Sequence, residues 1–503
     1  MNTKTTPHPD SSNIPLQPHY TVHFGGTFMN VMGNYNDYRG ASKFKGGFEH
    51  LQDAYTPSAF HNSGEGHVHP QCHPNTRISV IRSIMEGITG QRVFDDRGVT
   101  STITTPRGDR FIFLTGPAGA GKSAIASTIA GRCYDEGRLL ASFFFRLADS
   151  RRNHSGQFFP TIAYQICLAI PQARGYIVAV IERDPLILKK SLSIQLDSLI
   201  INPLVYLMNA GMLDVISGYY CIVIDGLDEC VDKEKKVRSE LLEILVAGIT
   251  RTNLPLVFFI ASRPEYDINS IINSQHLANI SRRLYLDEKY LPDADIRLYL
   301  QDNFSTIKAK HPSGTSIPLD WPSDASLDDL VRKASGQFIY AATVVKYVSS
   351  IQHNLMERLD LVLQAPHYTH AHSPFAELDT LYMHILSEIE DMETLLRILS
   401  FYHLHDVPGH REFRYSYDLP IWKVEYAEIM FQRKVTSVLP MLKSNLASLV
   451  TVKENHGRGT LHVDILHASF TEFLCDRRRA GSYYMDLRWW RVWLSIRRKI
   501  IRG

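Results

Sequence analysis

Apolar residues along this chain change their spacing three times, and each change marks a different kind of structure. From Arg110 to about Asp287, short β-rich runs (FIFLTG, ASFFFR, YYCIVID, LPLVFFIAS, RLYLD) alternate with longer amphipathic segments. That alternation predicts a parallel sheet covered by helices. Ahead of it, ISVIRSIMEGI places Ile78, Ile81, Ile84 and Ile88 at helical spacing, a lead-in helix that TPRGD then breaks. After Asp295 the strand signals fade, and helical patterns run through DLVRKASGQFIYAATVVKYVSS to about Leu449. The second half is expected to be mainly α. Residues 1–75 are rich in Gly, Asn, His, Pro and Ser with few apolar residues at either spacing, which predicts a largely unpacked leader. No repeat with a period of 20 to 50 residues stands out, so the sequence supports no claim of a solenoid or propeller.

Length and composition narrow the class. At 503 residues the chain is long enough for about three folded units. Lys+Arg 54 against Asp+Glu 52 leaves a formal charge of +2, so no whole-chain electrostatic footprint calls for nucleic acid or an anionic membrane. With 44% hydrophobic and 21% charged residues the chain reads as globular. The polar start and the lack of any run of 18 apolar residues predict a cytoplasmic protein. Six cysteines without a CxxC pair are expected to be free thiols.

The candidate chemistry begins where the first strand of the alternating region ends. GPAGAGKS, comprising Gly116, Pro117, Ala118, Gly119, Ala120, Gly121, Lys122 and Ser123, follows RFIFLT and runs through Ala124 into a helical pattern. This is GxxxxGK[ST] with a strand before it and a helix after it. The glycines let the backbone curl its N–H groups toward phosphate oxygens, and the helix N-terminus adds a favourable partial charge. Lys122 is expected to reach the β- and γ-phosphates, and Ser123 to place its hydroxyl on Mg²⁺. About a hundred residues on, YYCIVIDGLDEC ends an apolar strand in acids. Asp225 is placed to complete the Mg²⁺ shell opposite Ser123, and Asp228 or Glu229 to orient or deprotonate an attacking water. The strand LVFFIAS runs into Arg263, whose guanidinium is suited to sense a terminal phosphate.

Together GPAGAGKS, IVIDGLDE and ASRPE resemble the NACHT branch of signalling P-loop ATPases. More narrowly, HNSGEGHVHPQCHPNTR, FFFR and ILHASFTEFLCDRRRAGSYY make residues 20–486 similar to fungal (basidiomycete-type) NACHT proteins. The resemblance implies an α/β P-loop NTPase core (76–290), a mainly α helical domain (291–375) and a winged-helix-like domain (376–486); the basic amphipathic tail (487–503) is read from its own pattern and departs from it. It implies ATP/ADP and Mg²⁺ as cofactors, a closed ADP form, an open and self-associating ATP form, slow hydrolysis as a timer, and a role in non-self recognition. It also implies that His467, in LHASFTEF, contacts the β-phosphate of the closed form, and that Gly336 and Phe338, in SGQFIYA, lie near the nucleotide base. Two other classes stand beside this one: a scaffold that binds nucleotide only structurally, and a remodelling ATPase of the AAA+ type. The latter usually carries Glu directly after Asp, whereas here Gly226 and Leu227 intervene.

Three features lie outside that scheme. His61, His67, His69, Cys72 and His73 supply enough imidazole and thiolate for Zn²⁺, at a spacing that fits no named metal motif. FGGTFMNVMGNYNDY alternates apolar and polar residues as a stacked strand segment does. In DLRWWRVWLSIRRKIIRG, Trp489, Trp493, Ile496 and Ile500 form one helical stripe, and Arg488, Arg491, Arg498 and Arg502 a nearly opposite one. That pattern suits an anionic membrane surface, an acidic partner or a packed helix.

Overall fold

The computed structural model describes residues 20–24, 27–31, 45–64, 69–90, 109–213, 219–231, 236–287, 290, 292–312, 317–350, 353–364, 375–406, 442–443, 446–455 and 460–487. The Trp/Arg stripes of the tail, His67 and most of 407–449 lie outside these residues. The chain divides into residues 1–46 and 47–503. In the first, β1 (Tyr20–Phe24) and β2 (Thr27–Val31) pair antiparallel, Phe24 opposite Thr27.

The second unit is built on the expected sheet. Its strands are β3 (Phe111–Thr115), β4 (Leu139–Phe144), β5 (Tyr220–Asp225), β6 (Leu256–Ser262) and β7 (Ser281–Tyr285), all parallel, in the spatial order β4-β5-β6-β3-β7. Every residue of β3, β4 and β6 is buried, as expected of strands covered on both faces. Helices α1 (Gly47–Ala54), α2 (Ile78–Thr89), α3 (Lys122–Asp135), α4 (Phe158–Ala169) and α5 (Pro171–Arg183) belong to this half. So do α6 (Leu192–Leu196), α7 (Asn202–Asn209), α8 (Val237–Thr250) and α9 (Tyr266–Ile272). One face of the sheet packs with α4, α5 and α8, and the other with α2 and α3, giving two apolar layers. This is an α/β P-loop fold. Strand order positions the site: β6 lies between β3, which carries the phosphate loop, and β5, which ends in Asp225.

The expected unpacked leader is corrected here, because residues 47–64 and 69–77 are built into the second unit. Leu51 and Ala59 are fully buried in its apolar layer. Phe48 and Tyr55 stack on Tyr164, with ring centroids 5.6 and 4.1 Å apart. Gly47 lies so close to α5 that a Cβ would stand 2.6 Å from the Val178 carbonyl oxygen. His61 N–H donates to Ser142 Oγ (2.9 Å), and the His69 ring lies 4.2 Å from that of Phe144. Both partners are on β4, the edge strand, whose outer backbone is also satisfied by the Gln165 amide: Ser142 N–H donates to Oε1, and Nε2 donates to the Ser142 carbonyl. The leader is held to this edge strand by side-chain contacts, while the strand's free backbone groups at Ser142 are covered from α4. Its histidines go to separate partners. His73 packs edge-on to Tyr299, and the Cys72 N–H donates to Thr128 Oγ1.

The other half is helical: α10 (Pro292–Lys310), α11 (Asp324–Ala334), α12 (Phe338–Val348), α13 (Leu355–Gln364), α14 (Ala376–Ser387) and α15 (Met392–Asp406). An antiparallel hairpin comes next, β8 (Val450–Asn455) with β9 (Thr460–Ile465), then α16 (Ala468–Cys475). Buried apolar residues run from Ile296 to Met485 as one core, so the segments expected as two domains share their interior. No described helix is long and apolar enough to cross a membrane.

Candidate functional site

The phosphate loop curls over the end of β3, and its backbone shape demands glycine. Gly119 and Gly121 adopt φ of +76° and +94°, a region that disfavours side chains. A Cβ on Gly119 would also stand 2.3 Å from Ile339 Cγ2. Lys122, half-buried at the start of α3, folds back so that its Nζ donates to the carbonyls of Gly116 and Pro117, both at 2.8 Å. Burial lowers its pKa, and the nearby Asp228 opposes that. An ammonium held by two neutral carbonyls is one that a phosphate oxygen can take over.

Facing it at the end of β5, Asp225 is buried and hydrogen-bonded by the Ser123 side chain. Burial lifts its pKa to about 7, with the neighbouring Glu229 and Asp228 adding to the shift against Ser123 and Lys122. The chain then turns through Gly226, at φ +68°, into a 3₁₀ turn, Leu227–Glu229. This puts two acids in different roles. Asp228 commits both oxygens to the tip of β6: Oδ1 accepts from Arg263 N–H (2.9 Å) and Ser262 Oγ (3.2 Å), while Oδ2 pairs with Arg263 Nε (3.1 Å). Glu229 accepts from Leu147 N–H through Oε2 at 2.8 Å. Its pKa is raised by burial and by Asp228.

Arg263 therefore stands between the phosphate-loop strand and the Asp225 strand, anchored from one side by Asp228. Its Nη2 reaches the other half of the molecule, 2.6 Å from Glu472 Oε1 on α16. Burial opposes the cation, but Glu472 and Asp228 outweigh it and hold the pKa above its ordinary value.

The helical half meets the sheet half at three further points. Ile339 N–H donates to the Gly119 carbonyl (3.3 Å), placing SGQFIYA on the phosphate loop. Arg77, just before α2, donates from Nη2 to the Ala120 carbonyl (3.0 Å) and from its backbone N–H to Asp295 Oδ2 (3.0 Å), and lies 4.9 Å from the Phe338 ring. Arg146, the last residue of FFFR, donates from Nη2 to the Ile465 carbonyl at the end of β9. His467 caps α16: its Nδ1 accepts from Ser469 N–H (3.1 Å) and lies 2.6 Å from Ser469 Oγ. A ring that accepts at Nδ1 carries its proton on Nε2, so any phosphate contact of His467 is made from Nε2.

Lys122, Ser123, Asp225, Asp228, Glu229 and Arg263 are thus brought together at the C-terminal ends of three adjacent strands, where open parallel sheets bind ligands. Sequence reasoning missed Arg77, Arg146 and Glu472. Arg77 and Arg146 end the motifs HPNTR and FFFR, which was the available signal; Glu472 gave none beyond its place in LHASFTEF.

A family model described as Nephrocystin 3, N-terminal, matches residues 88–263, from the end of α2 through the phosphate loop and the acids to Arg263. Among solved structures the chain is similar to a Walker-type ATPase of Pyrococcus abyssi, at 12% identity and a TM-score of 0.37 over 81% of this chain and 98% of that one. It is similar to a chain from a study of katanin self-assembly at 12% identity and a TM-score of 0.32 (70% and 98%). A chain of Drosophila ORC bound to DNA gives 13% and 0.31 (82% and 100%). No curated protein matches the sequence.

Proposed function

We propose that this chain is a P-loop ATPase of the NACHT type working as a nucleotide-operated switch, closed with ADP and open and self-associating with ATP. The observation that carries the reading is the placement of Arg263. A cation between the phosphate loop and the acid strand is ion-paired to the C-terminal half rather than left to solvent.

Ser123 and Asp225 offer a hydroxyl and a carboxylate oxygen side by side, hard donors of the kind Mg²⁺ takes. They fit that ion, which when bound neutralises charge on the β- and γ-phosphates. The chain's own groups do the rest. Loop N–H groups and Lys122 hold the phosphates, and Arg263 meets the terminal one. Glu229, with its proton affinity raised by burial, takes the proton of the water that attacks γ-phosphorus as the bond to ADP breaks. Asp228 positions Arg263 rather than the water. His467 reaches the diphosphate of the closed form from Nε2.

Moving such a switch from 1:99 to 99:1 takes about 5.5 kcal/mol of differential binding. Charge-assisted hydrogen bonds contribute about 1.5 to 3 kcal/mol each, so Lys122 and Arg263 together reach that scale. The test is the mass of the full chain in solution with ADP and then with a non-hydrolysable ATP analogue. An increase confined to the triphosphate is expected; the same mass with both nucleotides bound contradicts the switch.

A further inference from the structure

We propose that Glu472 is a positioning residue for Arg263, an acidic stand-in for the terminal phosphate that lets the site discriminate triphosphate from diphosphate. The proposal rests on the reading of Gly116–Ser123 as a nucleoside-phosphate site.

The argument starts from the two sides of α16. Ser469, Phe470, Phe473 and Leu474 are buried, the last three in the C-terminal core, and the Tyr382 hydroxyl lies 2.8 Å from Ser469 Oγ. Glu472 falls about 200° round the helix from Phe470, on the side away from that core. Its carboxylate meets Arg263 Nη2 at 2.6 Å. The guanidinium is not free to follow a moving partner. Asp228 holds its Nε at 3.1 Å and its backbone N–H at 2.9 Å, and Asp228 is itself fixed to Ser262 beside it. With Nε pinned, Nη1 and Nη2 form the remaining end of the fork, and here a carboxylate takes Nη2.

A terminal phosphate carries more charge than a carboxylate and approaches from the phosphate-loop side. Once it takes Nη2, Glu472 is an unpaired anion beside the phosphate and Asp228, the other acid held on the same guanidinium. Repulsion among like charges at that range then works against α16 staying docked. A diphosphate does not extend to Arg263, and the Glu472 pair persists. The same ion pair therefore weakens triphosphate binding and holds the helical half in place. One contact does both.

The experiment measures the affinities of the full chain for ADP and for adenylyl imidodiphosphate by calorimetry, in wild type, Glu472→Gln, Arg263→Ala and the double variant. Glu472→Gln should raise the affinity for the triphosphate analogue relative to ADP by about three- to tenfold, the scale of one half-exposed ion pair. In the Arg263→Ala background the same substitution should leave the ratio unchanged, because its effect passes through that guanidinium. Glu472→Asp, which keeps the charge on a shorter stem, should return the ratio most of the way to wild type. Equal shifts for both nucleotides, or a ratio change that survives Arg263→Ala, overturn the proposal. Should Glu472→Gln fail to fold, Glu472→Asp must still show a smaller shift of the same sign, and its absence is equally fatal. If wild type binds neither nucleotide, the phosphate-site reading itself has failed, a result distinct from an unchanged ratio.

Discussion

The two halves of the second unit are held by different physics. In the sheet half, buried strands are joined by parallel backbone hydrogen bonds and sealed on both faces by apolar side chains, a structure that has no second arrangement at low cost. The helical half has its own continuous core from Ile296 to Met485. It meets the edge of the sheet half that carries the candidate site through arginines and backbone groups: Arg77, Arg146, Arg263 and Ile339. A seam of polar contacts can be exchanged for contacts to an anion; an apolar core cannot. The difference shows where movement is cheap, and the candidate site sits on that line.

Substitutions in the two halves should therefore separate cleanly. The largest effect is expected of Lys122→Ala, which should cost about 3 to 6 kcal/mol of nucleotide binding through two lost charge-assisted contacts while leaving the unfolding midpoint near wild type. Retained micromolar affinity by calorimetry would remove the loop from the site. Leu51→Ala should destabilise the folded chain by about 2 to 5 kcal/mol in a denaturant titration, because Leu51 is fully buried under α4 and α5. A near-neutral result would return residues 47–54 to an unpacked leader.

Asp225 gives a pH signature. Its folded pKa of about 7, lifted chiefly by burial, lies above the ordinary carboxylate value near 4. Between those values the folded chain holds a proton that the unfolded chain has released. This group's stabilising share is thus complete below about pH 4 and is lost as pH rises through 7. Asp225→Asn should flatten that decline, making the nucleotide-free protein about 2 to 4 kcal/mol more stable than wild type at pH 8 and little changed at pH 4. Glu229 is shifted the same way and leaves a residual slope. Identical pH profiles for variant and wild type would show that Asp225 is not so placed. The smallest effect belongs to the seam: Gly119→Ala, strained at φ +76° and pressed against Ile339, should cost about 1 to 3 kcal/mol of stability by thermal unfolding. No loss would mean that the helical half does not rest on the loop.

Much of the sheet half was legible because its signals are local. Continuous apolar runs such as FIFLT and LVFFIAS mark buried strands, and GPAGAGKS needs a strand before it and a helix after it. The separate duties of Asp228 and Glu229 were not legible, since they depend on the 3₁₀ turn that aims one at β6 and the other at Leu147. Nor was the packed leader. Its anchors are a few aromatic contacts and side-chain hydrogen bonds to residues about 80 to 135 positions away, which no periodicity records. Glu472 is the extreme case, an ordinary acid in an amphipathic helix until the fold sets it against Arg263.

The central claim is that the length of the bound phosphate chain decides whether the helical half stays on the sheet half. Spin labels at Tyr134→Cys, an exposed position near the end of α3, and Arg477→Cys, just beyond α16, in a chain whose less buried Cys72 and Cys475 are serine, would report their separation by pulsed electron resonance. With ADP the distance should match the nucleotide-free chain, and with adenylyl imidodiphosphate it should lengthen and broaden. One unchanged distance distribution with both nucleotides bound would contradict the account.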